Sequence, residues 1–212
     1  MERIPRERNP ARTRARILRA ATDLIAERGS AVSLAEIAAV AGVTKGGVTR
    51  HFPSRSGLLV AALSEAIENF RRGVEEHLDI TENTPGKLTR AYIRALCGGS
   101  TDAMQFFASF ASWSTVSGTP ELDAKIQEDS DRWEAAFAAD GLHPERVMVT
   151  TRAAESLGVV LVRLGDPNAE HLAWARNILL ELTMSSGPLI AEGTPFLTQG
   201  APTIQIAPSS TR

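Results

Sequence analysis

Residues 33–52, SLAEIAAVAGVTKGGVTRHF, constrain the fold more than any other stretch of the chain. Ser33 is placed to cap a helix and Glu36, three residues on, to return the hydrogen bond, a capping box set before the apolar positions Leu34, Ile37, Ala38 and Ala41. Gly42 follows where a left-handed residue ends a helix, Val43 is apolar enough to bury in the corner, and Thr44 can cap a second helix. In that second helix Val48 and Phe52 face inward, which leaves Lys45 with Thr49 and Gly46 with Arg50 on the opposite face. Glycines near a helix start cost about 1 kcal/mol each relative to alanine, so Gly46 and Gly47 need a reason, and close approach of backbone to a phosphate or groove supplies one. Two short helices joined at a steep angle, the second basic and hydroxylic outside, form a helix-turn-helix suited to the major groove of DNA.

The run AGVTKGGVTRHFPSRSGLL, with the Arg-rich helix before it, resembles the DNA-binding domain of the TetR family of transcriptional regulators over residues 10–60. Two positions depart from the family pattern. Thr49 stands where the family usually has a Tyr whose hydroxyl meets a phosphate, and Gly47 stands where Thr or Ser is frequent, so both thin out the side-chain contacts.

Charge divides the chain in the same place. Residues 1–59 hold eleven basic and five acidic side chains, a net +6, while the remainder holds twelve basic and twenty acidic, a net −8. A basic head on an acidic body fits a protein whose head alone meets a polyanion, although a short Arg-rich terminus also serves as a solubilising tail. One cysteine, Cys97, excludes a disulfide framework and points to a reduced, cytoplasmic setting. No apolar run approaches a membrane span, and the Arg-rich start lacks the apolar stretch of a secretory signal.

Taken in order, residues 1–9 read as a disordered basic arm, and a helix runs from Pro10 to Arg28 with Ile17, Ala21, Leu24 and Ile25 on one stripe and Arg12, Arg16, Arg19 and Asp23 on another. Gly29 ends it. Pro53 stops the recognition helix, and Ser54 caps a long helix whose apolar positions run from Leu58 to Leu78, an unbroken connector between head and body. Thr84-Pro85, Thr119-Pro120, His143-Pro144 and Asp166-Pro167 read as helix starts, with stops at Gly98-Gly99, Gly118, Gly141 and Gly165. Helices are therefore predicted near 85–97, 101–116, 120–140, 144–164 and 167–185. The fold class is all-α with about nine helices: a three-helix DNA-binding domain over 10–56, a helical effector-binding and dimerisation domain over 57–186, and an extended or disordered tail over 187–212.

Candidate DNA contacts are Lys45, Arg50 and Thr49 at base edges or phosphates, Ser33, Thr44, His51 and Arg55 on the backbone, and Gly46 and Gly47 at the closest approach. Met104, Phe107, Phe110, Trp113, Trp133 and Phe137 gather on two predicted helices and could line an apolar pocket, or equally form core. They fall where the TetR resemblance implies an effector cavity. Ala154, Leu157, Gly158 and Leu161 on one late helix, with Trp174, Ile178 and Leu182 on the last, have the small and apolar surfaces that a helix-helix interface needs, though they could also bury within one subunit. The resemblance implies a homodimer built as a four-helix bundle from this region.

His51, His77, His143 and His171 are scattered, without a nucleophile motif, and Glu75, Glu76, His77 and Asp79 suit a solvated face better than a cation site. No enzyme, cofactor or metal is expected. The function that follows is a homodimeric repressor released from a palindromic DNA operator by a small apolar effector. The alternative is a helical binding or scaffolding protein whose head serves protein contacts.

Overall fold

The computed structural model describes residues 9–116, 119–164 and 169–190, and among these the chain forms nine α-helices and no strand. Residues 1–8 of the predicted basic arm, the Gly118, Gly165 and Asp166-Pro167 signals, and the part of the predicted tail beyond 190 lie outside the described residues. Helix α1 (Pro10–Arg28) starts where the Asn9 side chain accepts from the Arg12 amide and ends at Gly29, whose φ of +57° only glycine adopts readily. A 3-10 turn leads to α2 (Leu34–Val40), then come α3 (Lys45–His51) and α4 (Arg55–Glu75). The body follows as α5 (Lys87–Arg94), α6 (Thr101–Val116), α7 (Pro120–Ala139), α8 (Pro144–Leu164) and α9 (Ala169–Glu181). No helix among the described residues is long and apolar enough to cross a membrane.

One departure from the sequence reading has a clear physical cause. Helix α5 begins at Lys87, after Gly86 at φ +89°, because its cap is remote: the Asp140 carboxylate accepts from the Leu88 and Thr89 amides at 2.8 and 2.9 Å. The stop at Gly98-Gly99 is made by a π turn over Ala95–Gly99, where Cys97 and Gly98 leave helical geometry and the chain bends directly into α6.

Packing falls into two clusters that share α4. In the first, Ile17, Ala21 and Ile25 of α1, Ile37 of α2, Val48 of α3 and Leu58, Leu59 and Leu63 of α4 bury together with Trp113, Val116 and Leu122 from the body. In the second, Phe70 and Val74 of α4 pack with Tyr92, Ile93, Leu96, Cys97 and Ala154. The packing seam crosses α4 between Ile67 and Phe70, well beyond the boundary after residue 56 that the sequence suggests. Three arginines tie the body: Arg71 of α4 donates to Asp129 of α7, the fully buried Arg90 holds Glu82, Thr84, Pro85 and Thr183, and Arg146 donates to the Leu182, Gly187 and Pro188 carbonyls.

Candidate nucleic-acid interface

The corner of the helix-turn-helix is fixed from both sides. Ser33 Oγ accepts from the Glu36 amide, while Glu36 Oε2 accepts from the Ser33 amide at 2.8 Å, so the capping box closes. Arg28 pairs with the same carboxylate; its guanidinium, followed by the Ser33 hydroxyl and amide, holds the Glu36 pKa down to about 2. At the turn Gly42 has φ +64°, and Arg16 reaches across from α1 to donate to the Ala41 and Gly42 carbonyls. A Cβ at Gly42 would meet only the end of the flexible Arg16 side chain, Nη2 at 2.6 Å, so it is the left-handed conformation that favours glycine here.

Helix α3 is capped by Thr44, whose Oγ1 accepts from the Gly47 amide at 3.0 Å. Val48 is fully buried and Phe52 nearly so, which turns the opposite face outward. Lys45, Gly46, Thr49 and Arg50 are exposed there, and among the described residues neither the Lys45 nor the Arg50 side chain makes a hydrogen bond or ion pair. The two glycines differ in their reasons. Gly47 is tucked under its own cap, where a Cβ would stand 3.3 Å from Thr44 Oγ1. A Cβ at Gly46 would meet nothing closer than 3.9 Å, so this residue is not forced by space and keeps the backbone bare where a groove would approach. Thr49 turns its hydroxyl back to the Lys45 carbonyl at 3.1 Å, and His51 is half-buried at the end of the helix.

Two arginines beside this face are held by contacts within the chain. Arg55, expected at a phosphate, donates to the Val32 and Ser30 carbonyls and so pins the entry to α2 against the start of α4. Arg14, which the sequence reading did not single out, lies with its guanidinium 5.0 Å from the Phe52 ring centroid, exposed beside the end of α3. Its signal was available only as one of many arginines in α1, since the ring that positions it lies 38 residues further on.

In the body, Phe107, Trp133 and Phe137 do come together, joined by Phe70, Tyr92 and Phe106 in a cluster of rings 5.0 to 6.3 Å apart. Arg71 stacks over Trp133 at 4.7 Å, and the Tyr92 hydroxyl donates to Glu155 Oε1 at 2.8 Å. Met104 lies beside Gly158, Phe110 is exposed, and Trp113 is buried in the head-side cluster, away from the other rings. A cleft of about 490 Å³ opens between α1, α4 and α6; Phe106 is on its wall, but none of the six predicted ligand residues is.

Of the seven predicted interface residues, Ala154 and Gly158 face inward. Both are buried within the subunit, and a Cβ at Gly158 would stand 3.1 Å from the Leu96 carbonyl, so its small size serves the approach of α8 to the π turn. Leu157 and Leu182 pack against the second cluster, Leu161 is half-buried, and Trp174 and Ile178 are exposed. Met148, Val149 and Val160 of α8 add to this outward apolar surface.

A capped helix-turn-helix with a bare, cationic outer face, mounted through one continuous helix on a helical bundle, defines the chain as a helix-turn-helix protein of the regulator class. Residues 17–62 match the family model for bacterial regulatory proteins of the tetR family, and residues 86–184 match the tetracyclin repressor-like C-terminal domain, together more than half of the chain. The chain belongs to the TetR family. The HTH-type transcriptional regulator BetI of Pectobacterium atrosepticum is 32% identical over 106 residues, which cover 47% of this chain and 52% of that protein. The chain thus spans about half the length of the curated relatives it matches. A transcriptional regulator from Rhodococcus sp. Rha1 shares the fold at a TM-score of 0.66 and 19% identity, covering 84% of this chain and 99% of the other. The multidrug binding protein EbrR, solved with imidazole, is 26% identical at a TM-score of 0.53, covering 84% and 97%.

Proposed function

We propose that the protein is a homodimeric, sequence-specific DNA-binding repressor whose operator affinity is set by a small organic effector. The observation that carries the reading is the outer face of α3: Lys45 and Arg50 stand exposed beside the open Gly46, on a helix fully anchored by Val48 from behind. Nothing within the described chain uses these charges, and cationic side chains on a helix of this size fit guanine edges and phosphates in a major groove. Arg14 extends the cationic surface past the end of α3, while Ser33, Thr44 and Arg55 act by holding the local geometry.

One such helix binds weakly, and pairing through the outward surfaces of α8 and α9 would present two heads to a palindrome about 34–36 Å in repeat. Exposed Val149, Val160, Trp174 and Ile178 support that pairing. The ring cluster around Phe107, Trp133 and Phe137 supports a site for an organic effector, which would enter by separating the rings; the imidazole held by the 26% identical relative agrees with a ligand of this kind. Because α4 contributes Phe70 to those rings and Leu58 to the head core, spreading them moves the connector.

Selection of bound duplexes from a random library tests the reading, followed by salt titration of the winner. An enriched palindrome is expected, with Lys45→Ala and Arg50→Ala altering its sequence and Arg14→Ala lowering the salt slope by about 1 without altering preference. Absence of any enriched sequence, with or without candidate effectors, would overturn it.

A further inference from the structure

The cleft between α1, α4 and α6 borders the ring cluster only at Phe106 and is lined by side chains of both charges. Arg12, Arg16, Arg19 and Asp23 line it from α1, Glu65 from α4 and Asp102 from α6, together with the apolar Ala66 and Phe106. Arg16 is committed to the Ala41 and Gly42 carbonyls, and Arg19 reaches only Asp23 of its own helix, at 4.0 Å and in solvent. Among the described residues no ion pair crosses the cleft, so Arg12 and Arg19 on one side and Glu65 and Asp102 on the other lack partners over the gap.

We propose that this cleft binds a small zwitterion, its anionic end on Arg12 and Arg19 and its cationic end on Glu65 and Asp102. A simple anion entering here meets the carboxylates of Asp23, Glu65 and Asp102, and a simple cation meets the guanidinium groups of Arg12, Arg16 and Arg19; only a ligand with both charges gains from both sets. The volume, about 490 Å³, lies within the range of roughly 300–1,000 Å³ usual for small-molecule sites. Phe106, stacked on Phe70 at 5.0 Å, offers an apolar surface for the spacer between the charges.

The walls are joined at one end. Ser112 Oγ donates to the Ala26 carbonyl at 2.9 Å and the Ser30 amide donates to Thr115 Oγ1 at 3.2 Å, so α1 and α6 are tied near their C-terminal ends. A ligand bridging the open part fixes α1 against α4 and α6. Through Arg16 that fixes the turn of the helix-turn-helix as well, a consequence that rests on the DNA-binding reading, whereas binding itself does not.

The test is calorimetric titration of the full chain, without DNA, with 4-aminobutyrate and 6-aminohexanoate, using hexanoate and hexylamine as singly charged controls. At least one amino acid is expected to bind about tenfold more tightly than either control, and Arg12→Gln and Asp102→Asn are each expected to weaken it about tenfold with the melting temperature unchanged. Three results would overturn the proposal: no binding of either amino acid at millimolar concentration, equal binding of a singly charged control, or binding that both variants leave intact, which would place the ligand elsewhere. None of these results bears on operator selection, so the two readings fail separately.

Discussion

Replacing Arg71 by methionine removes the cation that joins the connector helix to α7. Its Nε donates to Asp129 Oδ1 at 2.9 Å, its guanidinium covers the Trp133 ring at 4.7 Å, and the paired side chains are only 13% and 12% exposed. Without Arg71 the carboxylate keeps its burial and loses its counter-charge. Breaking a fully buried pair costs about 3–5 kcal/mol; the residual exposure lets some water reach Asp129, so about 2–4 kcal/mol is expected. For a chain of this size that is a fall of about 5–15 °C in melting temperature. The double variant Arg71→Met/Asp129→Leu removes both charges and should recover to within about 1 kcal/mol of the parent. Urea unfolding at fixed protomer concentration, followed by circular dichroism and tryptophan fluorescence, measures all three. A loss below about 0.5 kcal/mol in Arg71→Met, as for a surface pair, or a double variant no more stable than Arg71→Met, would refute the reasoning.

Gly42→Ala forces a side chain into φ +64° and into the path of Arg16, and should cost about 1–2 kcal/mol in thermal unfolding while weakening DNA binding through the displaced turn. Tyr92 is the chain's single tyrosine, and burial followed by the neighbouring Glu155 charge raises its pKa well above 10. Ultraviolet titration should therefore show no phenolate until the fold is lost, with stability falling as pH rises above 10, where only the unfolded chain releases the proton. Burial lifts the Cys97 thiol to about 11, so an aromatic disulfide reagent at pH 8 should label the native protein only as fast as it opens. Glu36 should titrate near 2 by carbonyl NMR; its contribution is present above 4.5 and is lost as pH falls towards 2, and Arg28→Ala should raise that value.

The head was legible because its signals are local. Ser33, Thr44 and Ser54 each cap within three residues of themselves, so spacing placed the starts of α2 to α4 to within a few residues, and the apolar stripe from Ile17 to Ile25 marked α1. Where the partner is distant, the sequence is silent. The cap of α5 comes from Asp140, 51 to 52 residues away, and the arginines at 55, 90 and 146 find backbone carbonyls that no periodicity announces. The small residues Ala154 and Gly158 carried a true signal of close approach, but whether the approach is to the π turn or to another chain depends on which face of α8 turns inward. Trp113 illustrates the same limit from the other side, since its neighbours on α6 join the rings while it packs under the head.

The shared core on α4 governs how such a protein can be rebuilt. A head cut at the end of the helix-turn-helix leaves behind Leu58, Leu59 and Leu63, and also Trp113, Val116 and Leu122, which fill its floor from the body. Grafting this head onto another regulator's body therefore means carrying α4 as far as Ile67 and matching three receiving side chains on the recipient's sixth and seventh helices. Conversely, heads that differ only on the outer face of α3 are interchangeable by rewriting Lys45, Gly46, Thr49 and Arg50 in place, since those four positions touch solvent rather than the shared core.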